Sequence, residues 1–149
     1  MSFENISMSD LDQLSVQHLI FDSKELNSLL KGHLFIERIL DTLIKKALQK
    51  PEILYNKQQL TFSFKVNLAA SLGVLPEEYW GPIKALNKIR NNYAHDLNYQ
   101  VTINELNDLK LRWETIQNDA YQTAVRQGIE DAALISTLFL CWSIMKLLN

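Results

Sequence analysis

The stretch SKELNSLLKGHLFIERILDTLIKKALQ, residues 23–49, decides the fold. Leu29, Ile36, Leu40, Leu43 and Ala47 recur at spacings of three, four and seven, which is the signature of one buried stripe on a long helix. Pro51 follows directly, where a helix is expected to have stopped. A helix of that length with one apolar side cannot stand alone. The rest of the chain must therefore supply partners for it.

The flanking segments read as such partners. A first helix is expected over Ser9–Ile20, with Ser9 and Asp12 as a capping pair, Leu11, Leu14 and Leu19 on its apolar side, and His18 at its end or on the surface. Residues 50–60 read as a loop. A short helix is expected from Thr61 or Ser63 to Leu72, closed by Gly73 in the left-handed conformation. Residues 75–82, LPEEYWGP, read as a turn or a single helical turn. Pro82 suits the first position of a helix that ends near Ala94. TINE, residues 102–105, is a capping box that opens a helix with Leu106, Leu109, Trp113, Ile116, Ala120 and Ala124 on one face, ending near Gly128. No segment alternates as a strand does. The expected fold is all-α: residues 1–149 form one domain, an up-and-down bundle of five or six helices.

Ala132–Leu148, AALISTLFLCWSIMKLL, is the most apolar segment. It is as short as a membrane span can be and lacks a basic flank that would orient it. Burial in the bundle or in a dimer contact is expected, with a membrane span as the alternative. Cys141, the single cysteine, is expected to be a small buried hydrophobe, and no intrachain disulfide can form. The start, MSFENISMSDLD, lacks the basic-then-apolar pattern of a secretory signal, so a cytoplasmic, reducing location is expected.

The 149 residues carry 15 Lys and Arg against 17 Asp and Glu, a net charge of −2 with His neutral. Bulk charge does not draw this chain to nucleic acid, and direct DNA binding is disfavoured. Any such contact needs a local patch. The candidates are Lys45, Lys46 and Lys50, or Lys84, Lys88 and Arg90. There is no glycine-rich phosphate loop, nucleophile elbow or zinc-spaced cysteine set, and no cofactor is expected. Trp80, Trp113 and Trp142 are dispersed, as core residues are.

Chemistry concentrates in KIRNNYAHDL, residues 88–97. Arg90 can hold a phosphate through two N–H groups, and His95 can move a proton near neutral pH. Asn91 can donate further hydrogen bonds. On an unbroken helix Arg90 and His95 lie about 140° apart. They meet only if the helix ends between them, or if two copies face each other across a two-fold axis. Asn87, Asn91 and His95 follow at steps of four and share a face, while Leu86, Ile89 and Tyr93 form the apolar stripe. The plain alternative is a polar helix end, where Arg and His favour the dipole and Asn the turn. His33 and Glu37 sit one turn apart, a spacing metals can use. Without a second ligand pair His33 is expected in the core or an interface, and Glu37 beside a basic group or at a solvated edge.

RNNYAH resembles the R-N-x-x-x-H signature of the HEPN superfamily of helical nucleic-acid-associated domains. Phe62–Asp96, FSFKVNLAASLGVLPEEYWGPIKALNKIRNNYAHD, is similar to the core of the mannitol-operon repressor family within it. The resemblance implies an all-α bundle, commonly dimeric, with Arg90 and His95 at or near a shared cleft. It implies transcriptional regulation through protein or nucleic-acid contacts. Alternatively it implies metal-independent RNA cleavage by Arg90 and His95 with help from Asn91. Asn87, Lys84, Lys88 and Glu37 are the candidate binding residues around them. One toxin subgroup carries a Tyr two residues after the His; here that position is Leu97, so control through that tyrosine is not expected.

Overall fold

The computed structural model describes residues 5, 7–15 and 23–149, and these form eight α-helices with no strand among them. The helices are α1 (Met8–Ser15), α2 (Lys24–Ala47), α3 (Pro51–Tyr55), α4 (Phe62–Ser71), α5 (Trp80–His95), α6 (Ile103–Asn107), α7 (Thr115–Gln127) and α8 (Ile129–Met145). Single turns of 3-10 helix precede α5, at Glu77–Tyr79, and follow α8, at Lys146–Leu148. The all-α expectation holds. The count is higher than expected because two short helices, α3 and α6, were read as a loop and as part of a longer helix.

The long helix α2 is the axis of the bundle and packs against α4, α5 and α8. Ser23 caps it by accepting the Leu26 N–H at 3.3 Å. Leu29, Ile36, Leu40 and Ile44 are fully buried, against Ile83, Leu86 and Ile89 of α5 and Leu140 and Ile144 of α8 in one core. Ala47, expected to close the stripe, is exposed at the helix end. Each fully buried Leu or Ile contributes about 1.5–3 kcal/mol of apolar transfer.

Other boundaries follow local chemistry. At the start of α1, the Ser7 hydroxyl rather than Ser9 takes the Asp10 N–H, at 3.1 Å. The expected extension to Ile20, His18, Leu19 and the side chains of Leu11 and Leu14 lie outside the described residues. Gly73 ends α4 with φ 75°, as its position foretold. Its N–H donates to Ala70 O and that of Val74 to Ala69 O, which satisfies two of the last free carbonyls. Helix α5 begins two residues before Pro82. The proline then lies in the first turn, where a missing N–H costs nothing.

The helix opened by Thr102 is short. Its capping box forms as expected, but the chain leaves the helix after Asn107 and re-enters at Thr115. Leu109 and Trp113 turn inward from the connecting segment. The Glu114 N–H then donates to the Gln117 side chain at 3.1 Å, and Asn118 holds Trp113 O at 3.2 Å. The buried face of α7 is therefore Tyr121 and Ala124, while Ile116 is 79% exposed.

Helix α8 packs on both α2 and α7. With the turn that follows, Ile129–Leu148 is long and apolar enough to cross a membrane. One side is covered by the bundle through Ala132, Ala133, Ser136, Leu140 and Ile144. The other side exposes Leu134, Trp142 and Met145. Cys141 is buried, and burial raises its thiol to about 11.

Candidate functional site

Helix α5 runs unbroken from Trp80 through His95. The helix does not end between Arg90 and His95, so within one protomer they remain about 140° apart. Below the tail, Asp96 accepts the Asn98 N–H at 2.9 Å and the Tyr93 hydroxyl accepts the Val101 N–H at 3.2 Å. Tyr99 packs edge-on against Tyr93, and its hydroxyl meets Glu105. These bonds fix where the helix stops. His95 sits exposed at its last position.

Arg90 looks the other way, into a hollow of about 700 Å³ walled by α2, the start of α4 and α5. Its polar lining includes His33, Glu37, Ser63, Asn87 and Asn91, and Leu30, Leu34, Leu60 and Phe62 supply the apolar wall. His95 is not part of it. A second hollow of about 360 Å³ lies across Ser63 and Asn87, with Lys84, Lys88 and Asn92 on its wall. Lys84, Lys88, Asn91 and His95 fall within roughly 60° of one another around α5. His95 thus belongs with the two lysines rather than with Arg90.

The centre of the first hollow is a hydrogen-bonded chain that links three helices. Thr61 caps α4 by accepting the Phe64 N–H at 3.1 Å, which sets Phe62 and Ser63 at the helix mouth. Phe62 stacks on the His33 ring, centroid to centroid 4.0 Å. His33 Nε2 donates to Asn87 Oδ1 at 2.9 Å, and Asn87 Nδ2 donates to Ser63 Oγ at 3.2 Å. Because Asn87 Oδ1 can only accept, the neutral ring keeps its lone pair on Nδ1. Burial holds the His33 imidazole below the usual histidine range. The Arg90 cation pushes the same way, while the Asn87 bond and Glu37 oppose it. Arg90 itself donates to Asn91 Oδ1 at 3.3 Å.

Behind this chain, Lys65 is buried between two carboxylates of α2, at 3.1 Å from Asp41 and 3.6 Å from Glu37. The Tyr55 hydroxyl adds a hydrogen bond to Asp41 at 2.8 Å. Glu37 therefore has a basic partner, supplied by α4. Among the described residues no group of three or more His, Cys, Asp or Glu could hold a metal ion.

The expected residues are thus divided. Arg90, Asn91, Asn87 and Glu37 meet in one hollow; Lys84 and Lys88 line the next; His95 lines neither. Sequence reasoning placed His33 in the core or an interface; it is only 9% exposed and lines the hollow. Ser63 and Lys65 went unrecognised as site residues. The one sequence signal for this set was the His33–Glu37 spacing on the stripe of α2. When the chain is compared with known proteins, no family model, no curated protein and no solved structure matches it.

Proposed function

We propose that this chain is a regulatory binding domain, similar to the mannitol-repressor branch of the HEPN superfamily, that acts as a dimer and presents the Arg90 hollow to a protein partner. The observation that carries this reading is the separation of Arg90 from His95 on a continuous helix. In one chain Arg90 lies beside His33, Asn87 and Ser63, which bond to one another. A wall of mutually bonded polar groups around a guanidinium that has no ion pair among the described residues suits recognition of a carboxylate or similar anion. The net charge of −2 favours a protein contact over the backbone of DNA. The test is complementation of a deletion strain. Loss of the chain alters transcript levels, and a well-folded Arg90→Ala chain fails to restore them. Unchanged transcripts on deletion contradict the reading.

A second reading is metal-independent RNA cleavage, and one observation favours it. His33 lines the same hollow as Arg90, and its burial lowers the imidazole pKa, a direction that favours the neutral ring a general base requires. Incubation with single-stranded RNA in EDTA separates the two readings. Products ending in 2′,3′-cyclic phosphate, lost in Arg90→Ala, support cleavage. RNA left whole over a broad pH range excludes it.

A further inference from the structure

Helix α5 carries Lys84, Lys88, Arg90 and His95 and no acid along its 16 residues. Lys84, Lys88 and Arg90 are exposed and make no ion pair among the described residues. This is a positive face on a chain of net charge −2. Arg90 lines the first hollow and the two lysines the second, and both hollows are lined by Phe62, Ser63, Asn87 and Asn91. The hollows therefore adjoin, and one extended ligand can enter both. Helix α4 opens onto them at Ser63, and its N-terminal dipole adds to the positive potential. Among the described residues Glu37 is the one acid on either wall, and Lys65 meets it at 3.6 Å.

Charge alone does not choose between a nucleic acid and an acidic peptide; the rest of the wall does. Leu30 and Leu34, one turn apart on α2 in the Arg90 hollow, are 40% and 48% exposed. Exposed aliphatic side chains suit the side chain of a peptide, not a sugar-phosphate backbone. Phe62, the phenyl ring that lines both hollows, is 7% exposed and stacks on His33. It offers no open platform for a base. The Asn87 amide is engaged at both ends, by His33 and Ser63, so it does not read a base edge.

We propose that the two hollows together bind an extended acidic segment of the protein partner, which rests on the reading of the Arg90 hollow as a protein-binding site. One carboxylate pairs with Arg90, which donates one N–H to Asn91 and has further N–H groups to offer. An apolar side chain next to that acid lies on Leu30 and Leu34. A second carboxylate meets Lys84 and Lys88. Arg90 and Lys84 are separated by about 9 Å along the axis of α5. A polyproline-II segment advances ~3.1 Å per residue and repeats its facing every third residue, so acids about three positions apart reach both.

Selection from a random library of short peptides on the immobilised full chain tests the proposal. Retained peptides are expected to carry two acids about three positions apart and an apolar neighbour to one of them. By fluorescence anisotropy such a peptide binds Arg90→Ala about tenfold more weakly, or worse. Lys84→Gln with Lys88→Gln weakens it by about threefold, and a peptide with its second acid changed to the amide does not feel that change. Leu34→Ser retains peptides that keep the acids and lose the apolar residue. All the substituted side chains are exposed, so each variant is expected to melt with the wild type. The acid-to-amide peptides test the same contacts with the chain unaltered. Peptides not enriched in acids, or retained equally by Arg90→Ala, overturn the proposal. So does a single-stranded uridine oligonucleotide that binds through these cations while no acidic peptide does. Acidic peptides that bind while deletion of the chain leaves transcripts unchanged uphold the site and sink the regulatory reading. Transcript control lost in Arg90→Ala, with no acidic peptide retained by the wild type, sinks the site and leaves regulation standing.

Discussion

Gly32→Ala gives opposite answers from sequence and from packing. On sequence alone it should help, because glycine inside a helix costs about 1 kcal/mol relative to alanine. In the structure a Cβ on Gly32 meets Thr137 Cγ2 at 2.1 Å and Cys141 Sγ at 3.7 Å. The first distance is deep in repulsion, and Thr137 is 4% exposed, with little room to yield. Helices α2 and α8 must separate or Thr137 must leave its rotamer. Overpacking costs about 1–3 kcal/mol; a contact this short takes the upper end, and less the roughly 1 kcal/mol that alanine gains in a helix, the net loss is near 2 kcal/mol. For a chain of this size that is a fall in Tm of roughly 4–8 °C. Urea denaturation at one fixed protein concentration measures it, which keeps any self-association the same in every variant. Thr137→Ser removes the methyl that the new Cβ strikes, at its own cost of about 1 kcal/mol. In that background Gly32→Ala is expected to be neutral or stabilising, a coupling of about 1.5 kcal/mol or more. A Gly32→Ala chain that melts higher than wild type refutes the reasoning, as does an equal loss in the Thr137→Ser background.

Lys65→Met leaves Glu37 and Asp41 without their shared cation. It is expected to cost about 2 kcal/mol in urea, less than for a fully buried pair because both carboxylates are about a quarter exposed; an unchanged midpoint contradicts the buried role. Because the His33 value is lowered in the folded chain, its contribution to stability is fully present above 6.5 and is lost as pH falls from there toward the folded value. Denaturation from pH 8 to 5 should show that loss at no more than about 1.4 kcal/mol per pH unit, and His33→Gln should flatten it; identical slopes in the two chains exclude the assignment. His95→Ala, at an exposed helix end, is expected to move Tm by less than about 2 °C. A larger drop makes His95 a structural residue.

The bundle was legible because its main helices carry their own punctuation. Ser23, Thr61 and Thr102 cap where their side chains predict, and Gly73 stops α4 by a conformation few other residues adopt. The break between α6 and α7 was not legible. It has no Gly or Pro, and Leu109 and Trp113, which reach the core from the connecting segment, are the same residues that a continuous helix would also have buried. In the candidate site, the motif around Arg90 lies on a helix that walls the hollow, and helical geometry already set His95 on another face. What one helix cannot reveal is its neighbours. Asn87 bonds His33 across 54 residues and Ser63 across 24, and Lys65 reaches α2 from α4. These contacts come from packing, and no local spacing encodes them.

The most direct test of the account compares Arg90→Ala with His95→Ala in the deletion strain, each shown by its melting curve to be folded. If the Arg90 hollow recognises a partner within one protomer, Arg90→Ala fails to restore the transcript pattern and His95→Ala restores it. If both fail equally, Arg90 and His95 act as one site, and the separation argued from the unbroken α5 does not describe the working protein.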